Sequence, residues 1–365
     1  MYKLLRKGNN YKSKMYYFCS TIQPSVQMNR TIHITRRSDV FVGRAEELLP
    51  ELLPARRVIV ISDSNIDRCH HRLVSSYEHI LIGIGEQSKT LVTVEKVFRA
   101  LMDMNADRTC FILGVGGGIV TDVAGFVAST YMRGVDFGFV STTLLGQVDA
   151  SVGGKNGVNV GGYKNIAGTF NQPQFVVCDT SMLATLPDRE FRAGLAEIIK
   201  AAIIGDEPLF RLLENTEFDR LRKDEELLRG VVESAIRAKA AIVAADEREG
   251  GVRRKLNLGH TIAHAIEKTV RGINHGEAVA IGLGYMASVA ERMGILGKGD
   301  AGRVVSVLDR FGFDTALPAD MRKLLKAIKK DKKRDGDSLH LIVPAAIGDV
   351  RDYTLTFGEV EALFL

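Results

Sequence analysis

Short β-branched apolar runs punctuate the first half of the chain, and helix-period apolar stripes fill most of the second. Arg57-Val58-Ile59-Val60-Ile61-Ser62-Asp63 reads as a buried strand that ends in an acid, and His79-Ile80-Leu81-Ile82 and Cys110-Phe111-Ile112-Leu113-Gly114 read the same way. Gly138 to Thr143 and Gln174 to Asp179 follow, and Arg30 to Ile34 alternates as a strand near the start. Turn or helix sequence separates each run from the next, which predicts a parallel sheet covered on both faces. After Leu186-Pro187-Asp188 the pattern changes to Ala, Leu, Glu, Lys and Arg at 3.6-residue spacing, with no convincing strand through residue 330. Ala196–Ile204, Leu227–Ala245, Thr261–Val270 and Glu277–Met293 are predicted helices, with Asp188 as an N-cap candidate. The expected architecture is a Rossmann-like α/β domain over 28–187 followed by an all-α domain over 188–365.

The 365 residues suffice for two domains, and 45% hydrophobic with 25% charged residues is the composition of a soluble globular protein. The net charge of +5 is spread along the chain and does not point to nucleic acid. No apolar run approaches the roughly 20 residues of a membrane span. Cys19, Cys69, Cys110 and Cys178 form no CxxC pair, and the last two sit in strand-like runs, so reduced thiols and a cytoplasmic location are expected. The basic start (Lys3, Arg6, Lys7, Lys12, Lys14) precedes an apolar stretch too short for a signal peptide. Residues 1–27 therefore read as a poorly ordered extension ahead of Met28.

The densest chemistry lies at Leu256-Asn257-Leu258-Gly259-His260-Thr261-Ile262-Ala263-His264 and, eleven residues on, at His275-Gly276-Glu277. His260 and His264 are four apart and share a helix face. Thr261 stands where a zinc protease needs its glutamate base, which excludes that class and leaves metal-assisted chemistry of another kind. Glu197 and Lys200 in Gly194-Leu195-Ala196-Glu197-Ile198-Ile199-Lys200 are either a salt-bridging pair or, given their apolar neighbours, a source of a metal ligand. Two histidines and a carboxylate with open positions form the ligand set of a catalytic zinc.

Gly114-Val115-Gly116-Gly117-Gly118-Ile119-Val120-Thr121-Asp122 follows a strand and opens a helix, as a tight turn or as a diphosphate cradle. Ile119 replaces the third glycine of the Rossmann fingerprint. Asp63, at the end of an upstream strand, and Gly85-Glu86-Gln87-Ser88-Lys89 tilt the reading towards a nucleotide. Gln147 to Asn159, continuing to Lys164-Asn165, is dense in small and polar residues, and Asp149, Lys155 and Asn165 are placed to line a site for a polyhydroxylated anion.

Taken together and in order, Gly116-Gly117-Gly118…Asp122, Tyr131-Met132-Arg133-Gly134-Val135, Thr142-Thr143-Leu144-Leu145, Gln147 through Asn159, Lys164-Asn165, Ala196-Glu197, Leu256 through His264 and His275-Gly276-Glu277 resemble the 3-dehydroquinate synthases. The resemblance runs from about residue 30 to the C-terminus. It implies zinc, or cobalt in its place, on Glu197, His260 and His275. It implies NAD near Asp63, Glu86, Lys89, Gly117, Gly118, Asp122, Thr142, Thr143, Lys155 and Lys164. Asp149, Lys155, Lys200, Lys239 and His264 would be catalytic, with Arg133, Asn165, Arg253, Asn257 and Lys332 binding substrate. Arg133 would reach a neighbouring subunit's site in a homodimer. Lys332 lies in a lysine-rich stretch, 322–334, that reads equally as a solvated basic helix.

Ser141, Asn156 and the short segment between His264 and His275 depart from the family's usual pattern, and none removes a charged or ligating group. The implied substrate is a sugar phosphate, 3-deoxy-D-arabino-heptulosonate 7-phosphate, converted to 3-dehydroquinate and phosphate by oxidation, elimination, reduction and aldol closure, with NAD regenerated each turn. Two rivals remain. A sister cyclase such as a 2-epi-5-epi-valiolone synthase would not need Arg253, Asn257, Lys239 and His264 for a substrate carboxylate. A metal- and NAD-dependent polyol dehydrogenase would consume NAD stoichiometrically.

Overall fold

The computed structural model describes residues 31–35, 37–332 and 338–365, so the extension at 1–27 lies outside it, as does the side chain of Lys332. Strands β1 (Thr31–Thr35), β2 (Ser38–Val42), β3 (Val58–Asp63), β4 (Glu78–Ile82), β5 (Phe111–Gly116) and β6 (Asp136–Ser141) precede a separate hairpin, β7 (Lys155–Val160) and β8 (Tyr163–Phe170). With β9 (Phe175–Cys178), the first six form one seven-stranded sheet in the order β1-β2-β9-β6-β5-β3-β4. It is parallel from β2 to β4, and β1 closes its edge antiparallel to β2.

Helices α1 (Ala45–Leu52), α2 (Ser64–Cys69), α3 (His71–Ser75), α4 (Leu91–Asp103) and α5 (Gly118–Thr130) connect the strands. Alternation along the strands sends side chains to two cores. Val60, Leu113, Val115, Val140 and Val177 meet Leu49 of α1 and Val74 of α3. Ile59, Ile61, Ile112 and Phe139 meet Val94, Val97 and Leu101 of α4 and Val123 and Val127 of α5, in a core that continues into the second half. Such strands, buried on both faces, are why the runs lack polar alternation.

The second half is helical, as the 3.6-residue period predicts: α6 (Asp188–Gly205), α7 (Glu207–Glu214), α8 (Phe218–Lys223), α9 (Glu225–Ala245), α10 (His260–Thr269), α11 (His275–Arg292), α12 (Asp300–Arg310), α13 (Met321–Lys332) and α14 (Phe357–Phe364). It is not purely helical. β10 (Ser338–Ala346) and β11 (Asp349–Thr356) form an antiparallel hairpin whose Leu339, Leu341 and Val343 are buried with the helices. A second adjustment concerns α6: Pro187 takes the cap position and Asp188 is the first helical residue, its charge on the favourable end of the helix. Among the described residues no helix is long and apolar enough to cross a membrane.

Candidate metal centre and nucleotide cradle

Three elements converge on Glu197. It is buried in the middle of α6, while His260 opens α10 and His275 opens α11. Glu197 Oε1 lies 3.3 Å from His275 Nε2 and 3.7 Å from His260 Nε2. One ligand atom from each of the three falls within 4.8 Å of the others, close enough for a single divalent ion to be shared. The starts of both helices are fixed locally. Gly259 takes a left-handed conformation ahead of His260, and Asn274 with Glu277 forms a capping box ahead of His275.

The hydrogen bonds around the ligands aim them inward. His260 Nδ1 donates to the Leu258 carbonyl at 3.0 Å, which leaves the Nε2 lone pair facing Glu197. His275 Nδ1 faces Glu267 Oε1 at 3.4 Å. Burial and the neighbouring Lys200 push the His260 ring down to about 3, so it is neutral and ready to ligate. Burial opposes the charge on His275, but Glu197 and Glu267 overcome it and raise the ring to about 10 in the metal-free site; a metal there displaces a proton. Burial would raise the Glu197 carboxyl, yet Lys200, with help from His275 and His260, holds it down to about 2.

Lys200 and Lys239 supply buried positive charge beside this cluster. Lys200 pairs with Glu197, which together with Asp149 keeps its ammonium charged against burial. Lys239, from α9, pairs with the Asp149 carboxylate and donates to the Asp149 backbone carbonyl at 2.6 Å. Burial nevertheless lowers Lys239 below the ordinary lysine value. Burial would raise Asp149, but Lys239 and Lys200 hold it well below the usual carboxylate range. Asp149 sits in a π-helical turn, Gly146–Ala150, that follows β6.

That turn abuts the glycine run. Gly117 caps α5 and Gly118 begins it, and a Cβ on Gly118 would meet the Ala150 Cβ at 2.9 Å. The α5 start therefore packs against the turn that carries Asp149, and a helix start is the part of a helix that suits an anion. Thr142 and Thr143 follow β6 along the same edge. The Thr143 hydroxyl accepts from Gly146 N at 3.0 Å, whereas Thr142 Oγ1 is buried without a partner. Lys89 and Asp122 form a nearly buried ion pair, and burial pushes the Asp122 carboxyl up to about 6 against the pull of Lys89. Glu86 is exposed and accepts from Asn159 at 2.7 Å. Asp63 caps α2 with its carboxylate, accepting from Asn65 N and Ile66 N.

A cavity of about 590 Å³ opens on the metal cluster, lined by Glu249, Asn257, His260 and His264 on one side and by Ile328, His340 and Ile342 on the other. His264 is exposed there and stands edge-on to His260, with ring centroids 5.4 Å apart. Arg253 and Asn257 do not share this wall as a continuing α-helical turn would have them. They lie in a 3₁₀ turn, Val252–Asn257, where residues four apart diverge. Asn257 reaches the cavity. Arg253 is buried, donating to the Glu247 carbonyl and, at 2.9 Å, to the Gly153 carbonyl. Gly153 has φ +108, and any Cβ there would lie 2.7 Å from the Arg253 guanidinium, so both backbone and space require glycine.

The stretch from Lys155 to Phe170, which reads as a polar loop, is the β7–β8 hairpin, and it reaches towards the helical half. Lys155 pairs with Glu249, which also accepts from Asn257 Nδ2 at 3.0 Å. Lys164 pairs with Glu267 Oε1 at 3.0 Å. Asn165 is exposed with φ +55. Arg133 is exposed on the far side of α5, in a turn where Met132 and Arg133 both take positive φ.

Glu249 and Glu267 are the site-adjacent residues that sequence reasoning passes over. Glu267 is seven residues, two helical turns, beyond His260, so the face shared with that histidine could have marked it. Glu249 lies in an irregular acidic segment with φ +60 and carries no comparable signal.

The architecture that holds this site recurs in two solved synthases. One is a 2-epi-5-epi-valiolone synthase from Streptomyces hygroscopicus subsp. jinggangensis with NAD+ and Zn2+ bound; it is 30% identical, has a TM-score of 0.81, and the match covers 89% of this chain and 95% of that one. The other is a 2-deoxy-scyllo-inosose synthase complexed with carbaglucose-6-phosphate, NAD+ and Co2+, at 26% identity and a TM-score of 0.82, covering 92% of this chain and 98% of that one. Fold and site thus define a chain built like the cyclic-product synthases. More specifically, the 3-dehydroquinate synthase N-terminal model matches residues 79–193, and the C-terminal model matches 194–334. A 3-dehydroquinate synthase from Halorhodospira halophila is 42% identical over 324 residues, 86% of this chain and 92% of that protein. The chain belongs to the 3-dehydroquinate synthase family.

Proposed function

We propose that this chain converts 3-deoxy-D-arabino-heptulosonate 7-phosphate to 3-dehydroquinate and inorganic phosphate, using NAD and a divalent metal, zinc or cobalt. The observation that carries the reading is the adjacency of two cradles: the α5 start packs against the turn bearing Asp149, and Asp149 is paired to Lys239 beside Glu197, His260 and His275. The residues fit both groups. The metal site offers one carboxylate and two imidazole nitrogens whose other ring atoms are occupied, and the nucleotide site offers free helix-start amides and the orphaned Thr142 hydroxyl. When bound, NAD supplies hydride acceptance and return, and the metal supplies Lewis acidity towards a substrate hydroxyl.

The chain's own residues do the rest. Lys200 keeps a fixed positive charge at Nζ beside Glu197, suited to an oxygen that gains negative charge. Lys239, buried and of lowered basicity, holds a proton at Nζ that Asp149 orients. His264 and Asn257 face the cavity, where they suit a phosphate, and Lys155 adds charge when released from Glu249. Arg253 lies buried behind the cavity wall and serves the substrate carboxylate by exchanging a backbone carbonyl contact for it, and Lys332 and Arg133 complete the anion sites, Arg133 across a homodimer. Residues 28–187 act as the nucleotide domain and 188–365 as the metal and substrate domain of a cytoplasmic enzyme.

The substrate class is tested by offering the purified protein, with NAD and zinc, the heptulosonate phosphate, sedoheptulose 7-phosphate and glucose 6-phosphate in parallel. Phosphate release from the first alone, at roughly 10⁴-fold preference, is the expected result. Comparable release from sedoheptulose 7-phosphate would move the chain to the valiolone synthases.

A further inference from the structure

Glu267, the one carboxylate of α10, has no part in the ligand set or the cavity wall, yet its side chain is only 10% exposed. A carboxylate in such a place needs partners. It has two, and both meet the same oxygen: His275 Nδ1 at 3.4 Å and Lys164 Nζ at 3.0 Å. His275 comes from α11, and Lys164 comes from the β7–β8 hairpin of the other half. On its opposite edge the same imidazole presents Nε2 to Glu197 at 3.3 Å.

We infer that Glu267 is the positioning carboxylate of the metal centre: it fixes the His275 ring with Nε2 inward, and Lys164 competes for the same oxygen from the hairpin. The inference rests on the metal reading above. A histidine ligand whose second nitrogen donates to a carboxylate is held in one tautomer and one rotamer and is a stronger donor, and loss of such a partner weakens metal binding by roughly 10- to 100-fold. The ammonium on the Glu267 oxygen draws its charge away from the imidazole. Lys164 therefore moderates the effect and couples the hairpin's position to the ligand field. His260 is oriented by a backbone carbonyl instead, so of the two imidazole ligands only His275 carries a side-chain lever among the described residues.

The test uses the full chain without nucleotide or substrate, with zinc affinity read by competition against a chromophoric chelator and ligand geometry read from the visible spectrum of the cobalt-loaded protein. Glu267→Ala is expected to weaken zinc by about 10- to 100-fold and to alter the cobalt bands. Glu267→Gln, which keeps an acceptor oxygen, is expected to recover most of the affinity. Lys164→Ala is expected to tighten zinc binding, a sign opposite to Glu267→Ala that general loosening of the fold would not produce, and weaker zinc binding in it would remove Lys164 from the inference. Thermal unfolding of each metal-free variant checks folding, and Glu267→Met, which keeps the side-chain length without an acceptor oxygen, carries the test if the Ala variant does not fold. Wild-type zinc affinity and an unaltered cobalt spectrum in the folded variant that lacks the acceptor oxygen would overturn the inference. Retention of zinc by Glu197→Ala would instead overturn the metal reading itself.

Discussion

Lys239, from the helical half, donates at 2.6 Å to the backbone carbonyl of Asp149 and pairs with its carboxylate, tying α9 to the turn that follows β6. This side chain is one of several ties between the two halves, and it is the one that lies beside Lys200 and the Glu197 cluster. Lys239→Met leaves the Asp149 carboxylate without its ion-pair partner, with only Lys200 to offset its charge, and takes one of the donors from its carbonyl, which keeps Val152 N at 3.1 Å. A loss of about 3 kcal/mol is expected by urea unfolding of the metal-free protein. The double variant Lys239→Met with Asp149→Asn is expected to regain part of that loss, because the stranded charge is gone. A single variant as stable as the wild type would remove the pair from the structural account.

His264 and His275 are expected to separate cleanly. His275→Ala removes a ligand atom facing Glu197, and zinc affinity is expected to fall by more than about 100-fold. His264 faces the cavity and stands edge-on to the His260 ring, outside the three-residue ligand group. His264→Ala is expected to keep its zinc while turnover falls by about 100-fold. Zinc quantified after dialysis, beside steady-state rates, distinguishes the two, and equal zinc loss in both would make His264 a ligand.

Gly118→Val places a branched side chain where even a Cβ would lie 2.9 Å from Ala150. The α5 start and the Asp149 turn must then part, so NAD affinity by calorimetry is expected to drop at least about 10-fold, with a lower melting temperature. NAD binding at wild-type strength would put the nucleotide elsewhere.

Arg253→Ala strips donors from the Glu247 and Gly153 carbonyls. A destabilisation of about 2–3 kcal/mol is expected, together with loss of the preference for a carboxylate-bearing sugar. Arg253→Lys cannot reach both carbonyls and is expected to recover little of either. Full stability in Arg253→Ala would leave only the substrate role.

The parallel strands were legible because burial on both faces leaves uninterrupted β-branched runs, as at Val58–Asp63, and the helices because α6, α9, α10 and α11 keep their apolar period. The β7–β8 hairpin was not, since Lys155 to Phe170 is rich in glycine and polar residues and β8 is largely exposed, so no apolar alternation marks it. The β10–β11 hairpin does alternate, but it follows a lysine-rich helix that carried the helical reading to the end of the chain. Among site residues, the histidines declared themselves by type and spacing. Glu249 pairs with Lys155, far away in sequence, and a pairing of that range leaves no local pattern, whereas Glu267 carries a faint one, two helical turns beyond His260. Arg253 and Asn257 were legible as residues, but the 3₁₀ turn that carries them buries the first and turns the second to the cavity.

The most direct measurement of the central claim is the ratio of phosphate released to NAD supplied, with the heptulosonate phosphate in excess and NAD substoichiometric. A synthase that returns its hydride within each cycle is expected to release many phosphates per NAD, to accumulate no NADH by absorbance, and to yield 3-dehydroquinate as the carbocyclic product. NADH appearing one for one with oxidised sugar, and no phosphate beyond it, would contradict the account and leave a polyol dehydrogenase.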